Sequence, residues 1–146
     1  MQIENTKTNL DDLVFTDSTI KQLACFAWRS LPQNASPVAI AALLEAVTTT
    51  PDYPPYTAAL AIALAHTNDW LGSLRWFERY LEMVPNHIEI LCITAEIFLR
   101  LGKFEKSLIA LKQCLALDPH NQHPSGRRAR VLVKKGEKLL TQMAKS

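Results

Sequence analysis

The sequence predicts an all-α fold in which paired helices stack into a solenoid and a last helix caps the stack. Three observations predict it. A pattern recurs at a fixed period, apolar residues keep helical spacing on both sides of a break within each repeat, and small residues fall at matched positions.

The period is set by prolines. Leu117-Asp118-Pro119, Met83-Val84-Pro85 and Thr49-Thr50-Pro51 follow one another at the same step of thirty-four (119 − 85 and 85 − 51). Ser107, Ser73 and Ala39 keep the same register, as do Leu111, Phe77 and Leu43, and Ala95, Ala61 and Ala27. The array therefore covers residues 20–121 in units 20–53, 54–87 and 88–121.

Each unit reads as two helices. In the third, Leu91, Ala95, Phe98 and Leu99 recur at three- and four-residue steps before Leu101-Gly102-Lys103 interrupts them. Phe104, Leu108, Leu111 and Leu115 resume the spacing, and Asp118-Pro119 stops the second helix, because proline lacks an amide and disfavours helix in the residue before it. In the second unit the break falls at Asn68-Asp69, followed by Leu71, Leu74, Phe77 and Leu81. In the first, Ser36-Pro37 has the form of an N-cap followed by proline at the first helical position. Alanine or serine where the two helices of a unit cross lets the backbones approach, and Leu43, Phe77 and Leu111 fill the space between units.

These positions resemble the tetratricopeptide repeat across 102 of 146 residues. The third unit, with Gly102, Leu111 and Pro119, carries the resemblance most fully; the first departs from it at Asn34, where glycine is usual, and at Ser30, where a large apolar residue is usual. The resemblance implies a right-handed solenoid of three helix pairs whose first helices line a concave surface.

Residues 122–146 lie outside the array. His123-Pro124-Ser125 opens a helix to about Ala144, and Ala129, Leu132, Val133, Leu139, Leu140 and Met143 can cover the open face of the third unit, which a solenoid needs. Gly126 and Gly136 each cost about 1 kcal/mol relative to alanine, so this helix is expected to bend or fray. Residues 1–19 are polar at first, and Leu10, Leu13, Val14 and Phe15 suggest a short docking helix.

Hydrophobic residues make up 48% of the chain and charged residues 21%, as in an ordinary folded domain. The net charge of +2 hides an asymmetry: residues 1–19 carry −3, and residues 124–146 carry +6 through Arg127, Arg128, Arg130, Lys134, Lys135, Lys138 and Lys145 against Glu137. Both ends are read mainly as solvated faces. Cys25, Cys92 and Cys114 are odd in number and lack close spacing, which argues for a reducing compartment. No signal-peptide pattern opens the chain, and the apolar run Ala58–Ala65 is too short to span a bilayer. The protein is expected to be cytoplasmic, with no membrane insertion.

No arrangement of nucleophile and base, or of paired acids, stands out, so no catalytic residue is assigned and no enzyme is expected. His66, His87, His120 and His123 fall in turns or at helix ends. His120 and His123 with Asp118 are too few for a convincing metal site and read as turn residues; no metal or cofactor is expected. The cysteines read as buried packing. Trp70 and Trp76, with Phe77 and Tyr80, read as inter-helix packing. The basic last helix has no interleaved aromatics for base stacking, so nucleic acid is not the expected partner.

The resemblance places the partner-binding groove at Lys21, Ala24, Trp28 and Leu31 of the first unit, Ala58, Ile62, Ala65 and His66 of the second, and Glu89, Cys92, Glu96, Leu99 and Arg100 of the third. Chaperone-adaptor members of the family grip acidic C-termini with a clamp of lysines, asparagines and an arginine. Here Ala24, Trp28, Ala59, Glu89 and Ile93 stand at clamp positions, and Glu89 would repel an acidic tail. The groove instead suits a protein partner offering an amphipathic helix or extended apolar segment, with Trp28 as the large anchor and Glu89 or Glu96 meeting a basic residue. Three units with a terminal helix in 146 residues are also similar to small chaperones of bacterial type III secretion, which hold a needle or translocator subunit. Such a chaperone sometimes works with a second chaperone subunit. A general scaffold or assembly subunit, or an adaptor that homodimerises, is the competing expectation.

Overall fold

The computed structural model describes residues 37–145, and every structural statement below concerns them. Six helices and no strand occur among the described residues: α1 (Pro37–Thr49), α2 (Pro54–His66), α3 (Trp70–Met83), α4 (Ile88–Arg100), α5 (Phe104–Leu117) and α6 (Pro124–Lys145). The expected docking helix in residues 1–19, the first helix of the first unit and Ser36 lie outside the described residues.

The bounds keep the period. Both α2 and α4, and likewise α3 and α5, begin and end one full repeat apart. Local chemistry sets the ends. Pro54 and Pro55 occupy the first turn of α2, where their missing amides have no helical partner to lose. The side chain of Asp69 accepts from the Gly72 amide at 3.0 Å and caps α3. Between paired helices the chain turns through a left-handed residue, Asn68 (φ 65°) before α3 and Gly102 (φ 75°) before α5, the two types that tolerate this region best.

The described residues fall into two compact units, one ending at Pro85 and the other beginning at Asn86. In the first, α2 packs on α1 and α3. Leu43 and Val47 from α1 meet Ala59, Leu60 and Ala63 from α2, with Ile40, Tyr56, Leu64 and Trp76 at the edge. Trp76 is thus packing, as expected, and the Arg75 guanidinium lies over its ring at 5.9 Å. In the second unit, α5 packs on α4, and α6 covers α5 and also touches α4. Ala129, Leu132, Gly126 and Gly136 form the buried face of α6.

The helix crossings carry more than small side chains. Ser73 Oγ donates to the Ala61 carbonyl at 2.7 Å, and one repeat later Ser107 Oγ donates to the Ala95 carbonyl at 2.8 Å. All four residues are fully buried. Each hydroxyl latches the second helix of its pair to a main-chain oxygen of the first. Ser73→Ala and Ser107→Ala each keep the close approach and lose the hydrogen bond, so each should destabilise the fold by about 1 kcal/mol. Urea denaturation checks this, and an unchanged midpoint in both variants would assign the latch no energetic role.

The glycines of α6 correct the sequence reading. The helix runs unbroken from Pro124 to Lys145. A Cβ on Gly126 would come within 2.6 Å of Asp118 Cγ, and one on Gly136 within 3.2 Å of Leu108 Cδ2. Their bare backbones let α6 seat closely on the unit beneath it, which offsets their poor helix propensity.

Candidate functional site

Of the thirteen residues expected to line a groove, Lys21, Ala24, Trp28 and Leu31 lie outside the described residues. Ala58, Ile62, Ala65 and His66 belong to α2 in the first compact unit, and Glu89, Cys92, Glu96, Leu99 and Arg100 to α4 in the second. Ala58, Ile62 and Cys92 are buried. Ala65, His66 and Leu99 are half-buried, and Arg100 is exposed.

The two carboxylates need correction. The sequence reading left Glu89 and Glu96 to meet a basic residue of a partner, but the chain's own cations and imidazoles already hold both. Glu89, 3% exposed, sits in the first turn of α4, where the helix dipole favours a negative charge. Its Oε2 is 3.2 Å from His87 Nε2 and its Oε1 is 3.5 Å from His123 Nε2. Glu96 receives two hydrogen bonds from Arg128 of α6, through Nε and, at 2.7 Å, through NH2. The paired geometry is the strong bidentate form.

A polar joint continues beneath α6. Asp118 is buried at the end of α5, and its carboxylate accepts from the amides of Gln122 (2.8 Å) and His123 (3.1 Å). Arg130 reaches back with NH1 3.5 Å from the same carboxylate and NH2 donating to the Asp118 carbonyl at 2.6 Å. His123 Nδ1 accepts from the Ser125 amide at 3.0 Å, which places the imidazole hydrogen on Nε2, facing Glu89. His123 and Asp118 therefore serve helix ends. Among the described residues no group of three or more His, Cys, Asp and Glu is arranged to hold a metal ion.

Burial alone would raise the Asp118 carboxyl, but the Gln122 and His123 amides and the Arg130 charge outweigh it and hold the group below the usual carboxylate range. Its contribution to stability is complete above the ordinary value of about 4 and disappears as pH falls through the lowered folded value. His66 acts in a separate window. Burial pushes its imidazole down to about 4, so its share falls away as pH drops from about 6.5 towards that value. Asp118→Asn should therefore lower the urea midpoint at pH 7, and that difference should begin to shrink once pH falls below the ordinary carboxylate value of about 4 and vanish as pH passes the lowered value of the native carboxyl. A midpoint difference constant from neutral pH to pH 3 would deny Asp118 this charged role.

The thiols are inert packing. Cys92 and Cys114 are buried and free, and desolvation pushes both up to about 12. Cys114 Sγ lies 3.8 Å from the Ile88 carbonyl, between α5 and the start of α4. Cys25 lies outside the described residues. No described helix is long and apolar enough to cross a membrane.

The period, the paired helices and the serine latches define an all-α helical-repeat protein of tetratricopeptide-like fold. No family model and no curated protein matches the sequence. Among solved structures, the fold is similar to the TPR2AB-domain:pHSP90 complex of yeast Sti1, with a TM-score of 0.65 and 16% identity. The match covers 92% of this chain and 52% of that one, so the chain spans about half the length of this structural neighbour.

Proposed function

We propose that this chain is a protein-binding module that takes a segment of a partner protein on the first helix of a repeat unit. The observation that carries this reading is the repeat fold itself, one solved neighbour of which is a complex with pHSP90. The chemistry of the surface argues against an acidic tail as the ligand here. Ala59 and Glu89 stand at two clamp positions, both buried, and Glu89 is enclosed by His87 and His123. Along α2, Ala59 stands where such a clamp has an asparagine, and the helix contains no lysine or arginine. An amphipathic helix or extended apolar segment fits better, gaining about 25 cal/mol per Å² of apolar area it buries.

The narrower reading is a chaperone of the type III secretion kind that holds one aggregation-prone needle or translocator subunit. Its support is the period of three repeat units in the sequence followed by a helix that covers the last of them. Co-expression and co-purification decide between this and a scaffold: a chaperone keeps one small partner soluble at fixed stoichiometry, whereas a scaffold recovers an already folded assembly. Trp28→Ala tests the surface. It should weaken partner binding at least tenfold, about 1.4 kcal/mol, with unchanged helical content by circular dichroism. Parallel loss of helicity and binding would make Trp28 a core residue.

A further inference from the structure

The inner face of α6 is spent on packing, and its outer face is organised as well. At 100° per residue, Arg127, Val131, Lys134, Lys135, Lys138 and Lys145 fall within about 100° of the helix circumference and run about 27 Å along it. All six are exposed, and Glu137, the nearest carboxylate in the helix, lies outside the strip. The charges of the inner side are consumed: Arg128 by Glu96, Arg130 by Asp118 and Asn121. On the outer strip Arg127 donates only to the Gln122 carbonyl, and the four lysines make no ion pair among the described residues. The helix thus carries a strip of five cations that form no ion pair among the described residues. Between Arg127 and Lys134 on this strip stands Val131, 68% exposed, the most exposed large apolar side chain described.

We propose that this outward face of α6 is a second docking surface, which takes an acidic helical segment of a partner protein with an apolar residue seated on Val131. Charge complementarity selects an acidic ligand and would speed its encounter. The valine selects polypeptide over nucleic acid: phosphates gain nothing from its methyl groups, and no aromatic ring on the strip offers a base a stacking surface. An anionic bilayer is a poor match, because interfacial binding requires a broad apolar helix face, and that face of α6 is packed on α5. The surface lies wholly in the second compact unit and is independent of the first-helix reading above.

Fluorescence anisotropy with the full chain tests the assignment, using three labelled probes. One is a 15-residue helical peptide bearing five glutamates on one face with a leucine among them. The second replaces that leucine by glutamine, and the third is a 15-nucleotide oligothymidine. The leucine peptide is expected to bind most tightly, with affinity falling as salt rises from 50 to 200 mM. Lys134→Glu with Lys138→Glu should weaken it at least tenfold, the corresponding double change to glutamine less, and Val131→Ser several-fold, all with unchanged circular dichroism. Failure of the leucine peptide to bind at 50 mM salt would overturn the proposal. So would equal affinity for the two peptides, insensitivity to both lysine pairs, or tighter binding of the oligothymidine.

Discussion

Deletion of residues 125–146 is expected to lower the thermal midpoint by about 10 °C or more and to reduce solubility. Leu132 is buried on the inner face of α6, and Val133, Leu139 and Leu140 are half-buried. At ~1.5–3 kcal/mol for each fully covered aliphatic side chain, their removal forfeits about 4 kcal/mol or more. The loss has a second part. Without α6, Asp118 keeps its carboxylate but loses Arg130, and Glu96 loses Arg128, so the carboxylate just after α5 and the one on α4 are left without their cations. Thermal unfolding and centrifugation of the two chains measure the effect. A truncated protein that melts within about 2 °C of the full chain and stays in the supernatant would show that α6 is an appendage rather than a cover.

Phe77→Ala and Leu111→Ala should each be severely destabilising, by ~3–5 and ~2–5 kcal/mol respectively. The two residues occupy equivalent positions on α3 and α5, and both are completely buried. Truncation removes apolar contact and leaves a cavity that two packed helices cannot close without moving. The matching control is exposure on the same helices. Leu71 and Ile109 are 65% and 62% exposed, so their alanine variants should stay within about 0.5 kcal/mol of the parent chain. Chemical denaturation of all four separates the outcomes. A cost below about 1 kcal/mol at Phe77 or Leu111 would mean that the site collapses readily and is not the keystone its burial implies.

Most of the helix pattern could be read from the sequence because its signals are local. The prolines at 51, 85 and 119, the turn residues at 68 and 102 and the spacing of large residues all act within a few positions of the features they set. The site was less legible, and the misses share a cause. Glu96 looked available because its partner Arg128 comes from the cap, which no repeat register relates to α4, and Glu89 is held by His123 from the same region as well as by the neighbouring His87. Gly126 and Gly136 looked like weak points because helix propensity is a local quantity, while their reason is contact with Asp118 and Leu108. The hydroxyls of Ser73 and Ser107 were read only for their size. Their recurrence as serine in consecutive units was the available hint of a hydrogen bond. In α2, a helix apolar nearly all round, spacing alone could not separate the packed Ala58 and Ile62 from an open lining.

The joint at Asp118 has a consequence for how this chain can change length. One side chain binds the amides of residues 122 and 123, while its own carbonyl receives Arg130 and its carboxylate leaves no room for a Cβ on Gly126. Four stations along the chain are thereby measured against a single point. A residue inserted or removed between Pro119 and His123 would throw all of them out of step, even though that stretch is mostly at the surface. The bend through Asn68 is held by short-range bonds, from the amides of Thr67, Asn68 and Asp69 to the carbonyls of Leu64 and Ala65 and from the Gly72 amide to Asp69, so it should accept length variation more readily. Insertions and deletions in descendants of this chain should therefore avoid the link before the last helix and collect at the bend.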